Sequence, residues 1–440
     1  MYLPDHVREC MDALETAGFC AYAVGGCVRD SLLGLTPQDY DLCTDALPEQ
    51  LKEVFSHKSL VLAGEKHGTV GVIFGKTVVE ITTFRTEGDY EDNRHPQWVE
   101  FVSDIAADLS RRDFTVNAMA YSPARGLVDP FGGQLDLQNR VLRAVGDPEK
   151  RFREDALRIL RGARFAARYQ LTPEPATEKA MIQLAPRLDS LSKERVFDEL
   201  CKLILLADVP LLLRFAPIIT QAVPVLASMV GFDQRSCHHA YDLYTHTAHT
   251  VCGVPAELPL RWAALLHDIG KPASLTLDEA GCGHYYGHAA VSAQMADAAL
   301  RRLKAPTALR EQVVFLIEKH MALPEPEPKF LRRWLSRYGE IPLTQLLQLQ
   351  RADTLATGIH TDTSLFDRCG QIMAELLKEA SCLSLKDLAV SGSDLLALGI
   401  PAGPAVGRCL HNLLEQVLDE RIPNTPEALL EAAKSMEKSG

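Results

Sequence analysis

The sequence lacks the features that mark a disulfide scaffold, a cysteine zinc site or a membrane protein. Its 440 residues include 11 cysteines but no C-x-x-C pair, and scattered thiols in odd number are typical of a reducing compartment. The most apolar stretch, residues 203–230, is interrupted by Asp208, Arg214 and prolines, so it predicts short buried helices instead of a membrane span. The first residues, MYLPDHVREC, have neither the cationic start nor the apolar core of a secretory signal. We therefore expect a cytoplasmic protein without a membrane partner.

The sequence also lacks a surplus of basic residues. Its net charge of −12 argues against general electrostatic attraction to nucleic acid, while 47% hydrophobic and 24% charged residues are ordinary for a globular chain. The length exceeds what one core supports, so roughly two to four domains are expected. One local exception to the acidic balance exists, because nine Lys or Arg lie between Arg140 and Arg168. This strip leaves room for a local RNA-binding surface.

The sequence pattern changes near Asp147. Before it, short helices and turn signals separate five strand-like segments, AYAVGG, DYDLC, TVGVIFG, TVVEITTF and WVEFV. After it, helical periodicity runs almost to the end, and one helix is expected from about Glu149 to Tyr169. We predict an α+β fold class, with a small mixed β-sheet head followed by a mostly α-helical neck, body, third domain and tail. The expected boundaries are 1–145 for the head, 146–232 for the neck and body, 233–360 for the third domain and 361–440 for the tail.

Two aspartates one residue apart, Asp39 and Asp41, follow a glycine pair and a basic turn in AYAVGGCVRDSLLGLTPQDYDLC. Side chains at i and i+2 of a strand point to one face, so both carboxylates are expected to converge. Such a pair suits Mg²⁺, which combines a few carboxylate oxygens with water and substrate phosphates. Gly25 and Gly26 would let a triphosphate approach the backbone, and Arg29 would neutralise it. An isolated D-x-D is more often a solvated turn, but these neighbours favour a site.

Five ordered motifs between residues 20 and 170 resemble the family of tRNA nucleotidyltransferases and poly(A) polymerases, and within it the bacterial enzymes that build or repair the 3′ CCA end of tRNA. They are GGCVRDSLLG with DYDL, VVEITTFRTEGDYEDNRHP, DLSRRDFTVNAMAY, DPFGG and FREDALRILRGARFA. The resemblance implies CTP and ATP as substrates, tRNA as partner, Mg²⁺ on Asp39 and Asp41, and a supporting carboxylate at Glu80. A strand glutamate at that position could equally be a buried structural acceptor. The segment RTEGDYEDNRHP resembles the loop that the family associates with adding the final A, which favours a complete CCA-adding enzyme.

The same resemblance implies a set of nucleotide contacts. Arg112, Asp113 and Asn117 in RRDFTVNA would surround the ribose and phosphates, which favours a ribonucleotide; a helix start capped by Asp113 is the structural alternative. The full implied set is Gly26, Arg29, Arg112, Asp113, Asn117, Asp155, Arg158, Arg161 and Arg164.

Asp155 and Arg158 can also be argued from base chemistry. Cytosine and adenine each present an exocyclic amine beside an unprotonated ring nitrogen, whereas uracil and guanine present a carbonyl beside an N–H. A carboxylate and a guanidinium therefore fit C and A and repel U and G. At i and i+3 of a helix the two side chains are neighbours, so one fixed pair could select both bases without a template. The alternative is an ordinary salt bridge within the helix.

A second group of motifs resembles an HD-type metal-dependent phosphohydrolase domain: HTAHT, HDIGKP, GHAAVSA, EKHM and ADT. The resemblance implies His246, His267, Asp268 and Asp353 as metal ligands, with Lys271 near the substrate phosphate. Adjacent His and Asp at the end of the apolar run WAALLHD would be costly to bury without a metal or strong partners. Mixed imidazole and carboxylate ligands fit Mn, Ni, Fe or Zn. A possible second metal would use His288 and His320, for which surface histidines are the alternative.

We therefore expect a CCA tRNA nucleotidyltransferase, with possible phosphatase or phosphodiesterase activity of the third domain. The tail resembles the part of the family that binds tRNA, although its Gly-rich turn LGIPAGPAVG would suit any helical hairpin. The alternatives are a poly(A) polymerase, or an HD phosphohydrolase with an accessory nucleotide-binding head.

Overall fold

The computed structural model describes residues 1–88, 99–236, 238–378 and 382–437. The chain forms two compact units, Met1–Ala227 and Ser228–Gly440. In the described residues, no helix combines the length and apolarity needed to cross a membrane.

The first unit contains a mixed β-sheet. Its strands are β1 Ala21–Val24, β2 Asp41–Thr44, β3 Leu60–Val61, β4 Thr69–Phe74, β5 Thr77–Thr83, β6 Arg85–Glu87, β7 Val99–Phe101, β8 Ala120–Ser122, β9 Gly126–Val128, β10 Val141–Leu142 and β11 Thr172–Pro173. Seven of them form one sheet in the order β3-β4-β5-β2-β1-β8-β9, in which β2 and β5 run parallel and the other neighbours antiparallel. Because each of the five predicted strand segments overlaps one of the strands of the first unit, the expected α+β head is confirmed.

Helices pack against β1 and β4 of the sheet and form most of the rest of the first unit. They are α1 Asp5–Thr16, α2 Gly26–Leu32, α3 Pro48–Val54, α4 Ile105–Ser110, α5 Gly133–Gln138, α6 Pro148–Glu154, α7 Leu157–Tyr169, α8 Pro175–Leu184, α9 Lys193–Leu206, α10 Val209–Arg214 and α11 Ala216–Ala222. Apolar side chains of β1 and β2 pack with Phe84, Leu109 and Val145 in the core of the head. This packing holds β1 in place, and α2 begins two residues after β1 ends.

Two local predictions in this unit are wrong. The D-x-D motif does not lie within one strand, because β2 begins at Asp41 and Asp39 precedes it in a loop. The helix expected over 149–169 is interrupted at Asp155, whose φ of −139° and ψ of 104° are extended. The side chain of Asp155 accepts a hydrogen bond from the backbone N–H of Leu157, so it supports the start of a new helix instead of continuing the old one.

The second unit is helical apart from one short hairpin. Its elements are α12 Leu243–Gly253, α13 Leu258–Leu266, α14 Lys271–Ser274, β12 Thr276–Leu277, β13 Gly283–His284, α15 His288–Arg302, α16 Thr307–Lys319, α17 Pro328–Tyr338, α18 Glu340–Ala356, α19 Ser364–Lys378, α20 Gly392–Ala397, α21 Pro404–Leu418 and α22 Pro426–Glu437. α12 packs on α13 and α18, and α16 packs on α13 and α15. The last three helices surround Leu395, Leu413 and Leu429. The predicted mostly helical remainder is therefore confirmed.

Candidate functional site

Three carboxylates lie around the point where β2 begins. Asp41 begins β2, and the parallel register that pairs Leu42 with Ile81 sets Asp41 beside Glu80 of β5. Asp39, Asp41 and Glu80 border a cavity of about 330 Å³. Glu80 is exposed, so it is not the buried acceptor that the sequence left open. No hydrogen bond or ion pair joins these three carboxylates to any other described residue.

The electrostatics around these three carboxylates favour a bound cation. Asp41 is exposed by area, yet partial burial in the cavity raises the pKa of its carboxyl, and the negative charge of Glu80 raises it further. Arg112 partly offsets this effect. Carboxylate oxygens are the ligands that Mg²⁺ prefers, so the donor set fits that ion. The three head carboxylates are not packed as closely as a preformed metal cluster. Among the described residues, groups of three or more metal-ligand residues with their ligand atoms within 4.8 Å of one another occur in the second unit only.

The glycine pair forms the turn between β1 and α2, next to the carboxylates. Val24 at the end of β1 pairs with Asp41, so the turn begins directly beside this residue. Gly25 has a φ of +75°, and a Cβ there would lie 2.9 Å from Nη1 of Arg112. Glycine therefore suits the conformation, and a Cβ there would require the tip of the Arg112 side chain to shift.

Arg29 follows in α2 and is buried. Its guanidinium donates to Asp30 at 2.9 Å and 2.8 Å and also to Asn117 and the Tyr169 hydroxyl. The structure therefore brings the predicted triphosphate contact into a dense polar network, with several donors already engaged.

A second cavity, of about 450 Å³, lies between the turn and α7. Eight arginines and three aspartates border it, so its walls are strongly basic although the whole chain is acidic. Asp41 borders this cavity as well as the carboxylate cavity. The two predicted chemical elements, the paired acids and the arginine-bearing helix, are therefore adjacent. The charged lining consists of Arg29, Asp41, Arg111, Arg112, Asp113, Asp155, Arg158, Arg161, Arg164, Arg168 and Arg195.

Asp113 holds together one wall of the second cavity. Its carboxylate accepts hydrogen bonds from Asn117 at 2.9 Å and from Arg161 at 2.9 Å and 2.7 Å. Burial opposes ionisation, but the Arg161 charge and the Asn117 hydrogen bond lower the pKa of Asp113 to about 2. Its carboxylate also accepts from the backbone N–H of Phe114 at 2.9 Å, but the helix that follows is a short 3-10 helix, Thr115–Asn117, whose N-cap is Phe114, so Asp113 does not cap a helix start.

Asp155 and Arg158 both border the cavity but do not pair with each other. Asp155 accepts from Arg195 at 3.1 Å, whereas Arg158 donates to Glu154 at 2.7 Å and to the Arg111 carbonyl at 3.1 Å. The helix break at Asp155 explains the difference, because i, i+3 proximity requires both residues in one helix. The ordinary salt bridge that the sequence left as an alternative is therefore not formed between these two residues.

Two aromatic rings of α7 pack against guanidinium groups around the second cavity. Phe165 lies 4.4 Å from the Arg164 guanidinium and 5.3 Å from that of Arg161, and Tyr169 lies 4.2 Å from that of Arg29. Arg164 also donates to Glu199 of α9 at 2.6 Å. Sequence reasoning missed Glu199 and the contact of Tyr169 with Arg29 because both depend on packing between distant segments. The missed set is Asp30, Arg111, Glu154, Phe165, Tyr169, Arg195 and Glu199. Arg168 also borders the cavity, as the helical spacing of Arg158, Arg161, Arg164 and Arg168 predicts.

In the second unit, α12, α13 and α18 bring the four predicted HD residues together. His246 Nε2 lies 2.9 Å from Oδ1 of Asp353, and His267 Nε2 lies 3.2 Å from Oδ2 of Asp268 and 3.3 Å from Asp353. The ligand atoms of all four residues lie within 4.8 Å of one another. His246, His267 and Asp268 are almost fully buried, and Nε2 of both histidines lacks a hydrogen bond of good geometry. Orphaned buried imidazole and carboxylate atoms aimed at one point fit a metal ion.

A second group shares Asp268. Its other oxygen, Oδ1, lies 3.2 Å from Nε2 of His288 and 3.8 Å from Nε2 of His320. His267, His288 and His320 each place Nδ1 within 2.8 Å of a backbone carbonyl, so Nδ1 carries the proton and Nε2 is left to bind. Burial lowers the pKa of His320 to about 4, which keeps it neutral. Both histidines are buried, so they are not the surface residues that the sequence left open.

Lys271 lies directly beside this cluster. Its ammonium is 2.7 Å from Oδ2 of Asp268 and donates to the buried amide of Gln234 at 3.1 Å. Gln234 was not singled out by sequence, because a lone glutamine in a loop carries no pattern.

Three family models match parts of the chain. They are the poly A polymerase head domain over residues 21–143, the probable RNA and SrmB-binding site of polymerase A over 170–214, and tRNA nucleotidyltransferase domain 2 over 288–433. The CCA-adding enzyme of Streptococcus suis is 51% identical over 209 residues, which is 47% of this chain and about half, 51%, of that relative. The CCA-adding enzyme of Geobacillus stearothermophilus is 32% identical over 436 residues, which is 97% of this chain and 96% of the relative. This chain belongs to the family of CCA-adding enzymes.

A solved structure agrees with this family over the full length. The crystal structure of the Bacillus stearothermophilus CCA-adding enzyme in complex with CTP matches with a TM-score of 0.69 and 29% identity, and covers 100% of both chains. The predicted family, fold class and enzyme class, a tRNA nucleotidyltransferase, are thereby confirmed. The loop expected to act in adding the final A, RTEGDYEDNRHP, lies outside the described residues from position 89 onward.

Proposed function

We propose that this CCA-adding enzyme builds or repairs the 3′ CCA of tRNA by binding CTP and ATP in the arginine-lined cavity. The tRNA 3′-hydroxyl attacks the α-phosphate, the bond to the β-phosphate breaks, and pyrophosphate leaves. The observation that carries the proposal is the position of Asp41, which borders both the carboxylate cavity and the arginine-lined cavity. A triphosphate bound across this boundary would meet acidic metal ligands on one side and guanidinium groups on the other. The helical tail, residues 361–440, is proposed to contribute to tRNA binding.

The proposed magnesium ligands are Asp39 and Asp41, with Glu80 in support. Their lack of protein partners among the described residues and the raised pKa of Asp41 both support a cation there. A divalent ion supplies charge neutralisation at the reacting phosphate when bound. The turn at Gly26 and the side chains of Arg29 and Arg112 are proposed to hold the triphosphate.

Base selection is proposed to use Asp155 and Arg158. Two of the roughly four acceptor sites of the Asp155 carboxylate are engaged, by Leu157 and Arg195, which leaves capacity to accept from an exocyclic amine. Arg158 uses its two terminal nitrogens for Arg151, Glu154 and Arg111, and its Nε–H remains available for a ring nitrogen. Asp113 and Asn117 are proposed to lie near the ribose, with Arg161 and Arg164 toward the base or phosphates.

The test is nucleotide incorporation by the purified chain. Offered a tRNA that lacks CCA, the enzyme should add C from CTP before it adds A from ATP. Asp39→Ala should abolish incorporation, because the metal loses a ligand, whereas Asp12→Ala on the exposed face of α1 should not. Long A tracts on arbitrary RNA without CTP would support the alternative, a poly(A) polymerase.

A second activity, HD-type phosphohydrolysis, is favoured by the cluster of His246, His267, Asp268 and Asp353. Its orphaned buried atoms support a transition metal, Mn, Ni, Fe or Zn, with His288 and His320 available for a second ion. Lys271 is proposed to contact the phosphate of a phosphomonoester or cyclic phosphodiester. His267→Ala should remove phosphoesterase activity and leave CTP incorporation intact, while Asp39→Ala should do the reverse. Loss of both activities in both variants would contradict two separate sites.

A cytoplasmic location is proposed as well. It is supported by the ten described cysteines, all of which are free thiols, as expected in a reducing compartment.

A further inference from the structure

Tyr169, the last residue of α7, forms a buried contact with two neighbouring residues of α2. Its side chain is almost fully enclosed, and its hydroxyl donates to Oδ1 of Asp30 at 3.0 Å. The same hydroxyl accepts a hydrogen bond from Nη2 of Arg29. Its ring lies 4.2 Å from the Arg29 guanidinium carbon, within the range of a cation–π contact. One side chain therefore holds Arg29 both at its edge and at its face.

The Arg29 guanidinium has little freedom left. Of its five N–H groups, four donate: Nε–H and one Nη2–H to Asp30, the other Nη2–H to Tyr169, and one Nη1–H to Asn117. The remaining Nη1–H is directed by the other four. Since Arg29 borders the arginine-lined cavity, that direction decides what the group can offer a ligand.

The contact of Tyr169 is also one of two hydrogen-bonded connections between α7 and the described residues around the turn. From Arg29 the chain of contacts runs through Asn117 to Asp113 and on to Arg161 of α7. Arg161 and Tyr169 are eight residues apart on that helix, or about 12 Å. α7 is thus tied at two points to the polar residues around the turn, and Tyr169 supplies the second tie.

We propose that Tyr169 is a positioning residue that sets the Arg29 guanidinium for the nucleotide triphosphate. This inference rests on the proposed function, in which Arg29 contacts the triphosphate. Through the same tie, Tyr169 fixes the triphosphate-binding turn relative to α7, the helix that carries Arg158 and Arg161. Tyr169 itself does not touch the base, so its effect is common to both nucleotides.

The test is Tyr169→Phe, which keeps the ring and removes the hydroxyl. We expect the KM for CTP and the KM for ATP to rise together, by about tenfold, because a hydrogen bond to a charged group is lost. The KM for tRNA and the discrimination against UTP should remain unchanged, because the hydroxyl acts on Arg29 and α7 keeps its other tie to the turn through Arg161 and Asp113. Tyr169→Leu, which also removes the cation–π contact, should raise both nucleotide KM values further.

The matched control is Tyr121→Phe in β8 of the same head, where no hydrogen bond to the described residues is lost. It should leave both nucleotide KM values unchanged. A general loss of folding would instead change the KM for tRNA, kcat and the unfolding temperature together.

A double-mutant cycle separates this inference from the proposed function. If Tyr169 acts through Arg29, Tyr169→Phe should have no further effect on nucleotide KM in an Arg29→Lys background. Additive effects, or an unchanged KM in Tyr169→Phe alone, would overturn the role of Tyr169. Unchanged KM values in both Arg29→Lys and Arg29→Ala would instead overturn the triphosphate role of Arg29.

Discussion

At the scale of single residues, the glycine pair shows how much a short motif can predict. The sequence indicated a close approach of backbone to ligand at Gly25 and Gly26. The structure adds a neighbour that no local pattern reveals, because a Cβ at Gly25 would meet Arg112 at 2.9 Å. Gly25 is therefore needed for its own conformation, and its missing Cβ leaves room for the guanidinium of an arginine 87 positions away in sequence.

Gly25→Ala should accordingly lower CTP incorporation by at least about tenfold, since it strains a φ of +75° in the triphosphate-binding turn and shifts the Arg112 guanidinium beside it. The control is Gly34→Ala, which shares a positive φ of +72° but has open space around its Cβ. It should lose some stability and little activity, as measured by thermal unfolding and single-turnover incorporation. Equal loss of activity in both variants would mean that strain alone matters.

At the scale of secondary structure, the sequence predicted the strands well and the neck helix poorly. Strands β1, β2, β4, β5 and β7 follow from apolar, β-branched segments bounded by turns. The segment FREDALRIL consists mostly of strong helix formers and contains no glycine or proline, so propensity predicts one uninterrupted helix. The break at Asp155 comes from its contacts with Leu157 and with Arg195 of α9, and the second of these exists only in the folded chain.

Mutation can separate the two roles of Asp155, its support of the start of α7 and its proposed contact with the base. Asp155→Asn keeps an acceptor for the Leu157 N–H, so its thermal stability should stay close to that of the unmodified chain. Asp155→Ala loses the contact and should cost about 1 kcal/mol. Both variants should lose selective incorporation of C and A, because neither presents a free carboxylate to an exocyclic amine. Full discrimination in Asp155→Asn, measured with all four nucleoside triphosphates, would rule out base reading by this residue.

At the scale of the whole molecule, the described residues of the two units offer candidate metal sites of different chemistry. The acids of the head offer oxygen alone, whereas the cluster of the second unit offers imidazoles and two carboxylates. The ligand types were readable from sequence because each motif is short and local. The sharing of Asp268 between two groups of ligands could not be predicted from the sequence, because it depends on α15 and α16 bringing His288 and His320 to one carboxylate.

Treatment with a chelator followed by added Mg²⁺ should therefore restore nucleotide incorporation but not phosphoesterase activity. Removal of the transition metal should also lower the unfolding temperature of the full chain, because the ion binds only the folded cluster. His246→Ala should abolish this metal-dependent stabilisation, while His249→Ala, one turn along α12 and outside the cluster, should preserve it. Elemental analysis of the purified chain checks the metal content directly, and equal content in both variants would contradict the site.

The guanidinium groups of the arginine-lined cavity are already ordered by the protein itself. Among the described residues, seven of the eight are ion-paired with carboxylates, which neutralise most of their charge and fix their directions. Under the proposed function, an incoming polyphosphate would meet donors that need little rearrangement. Much of the entropy cost of ordering these side chains is therefore met during folding and not during nucleotide binding.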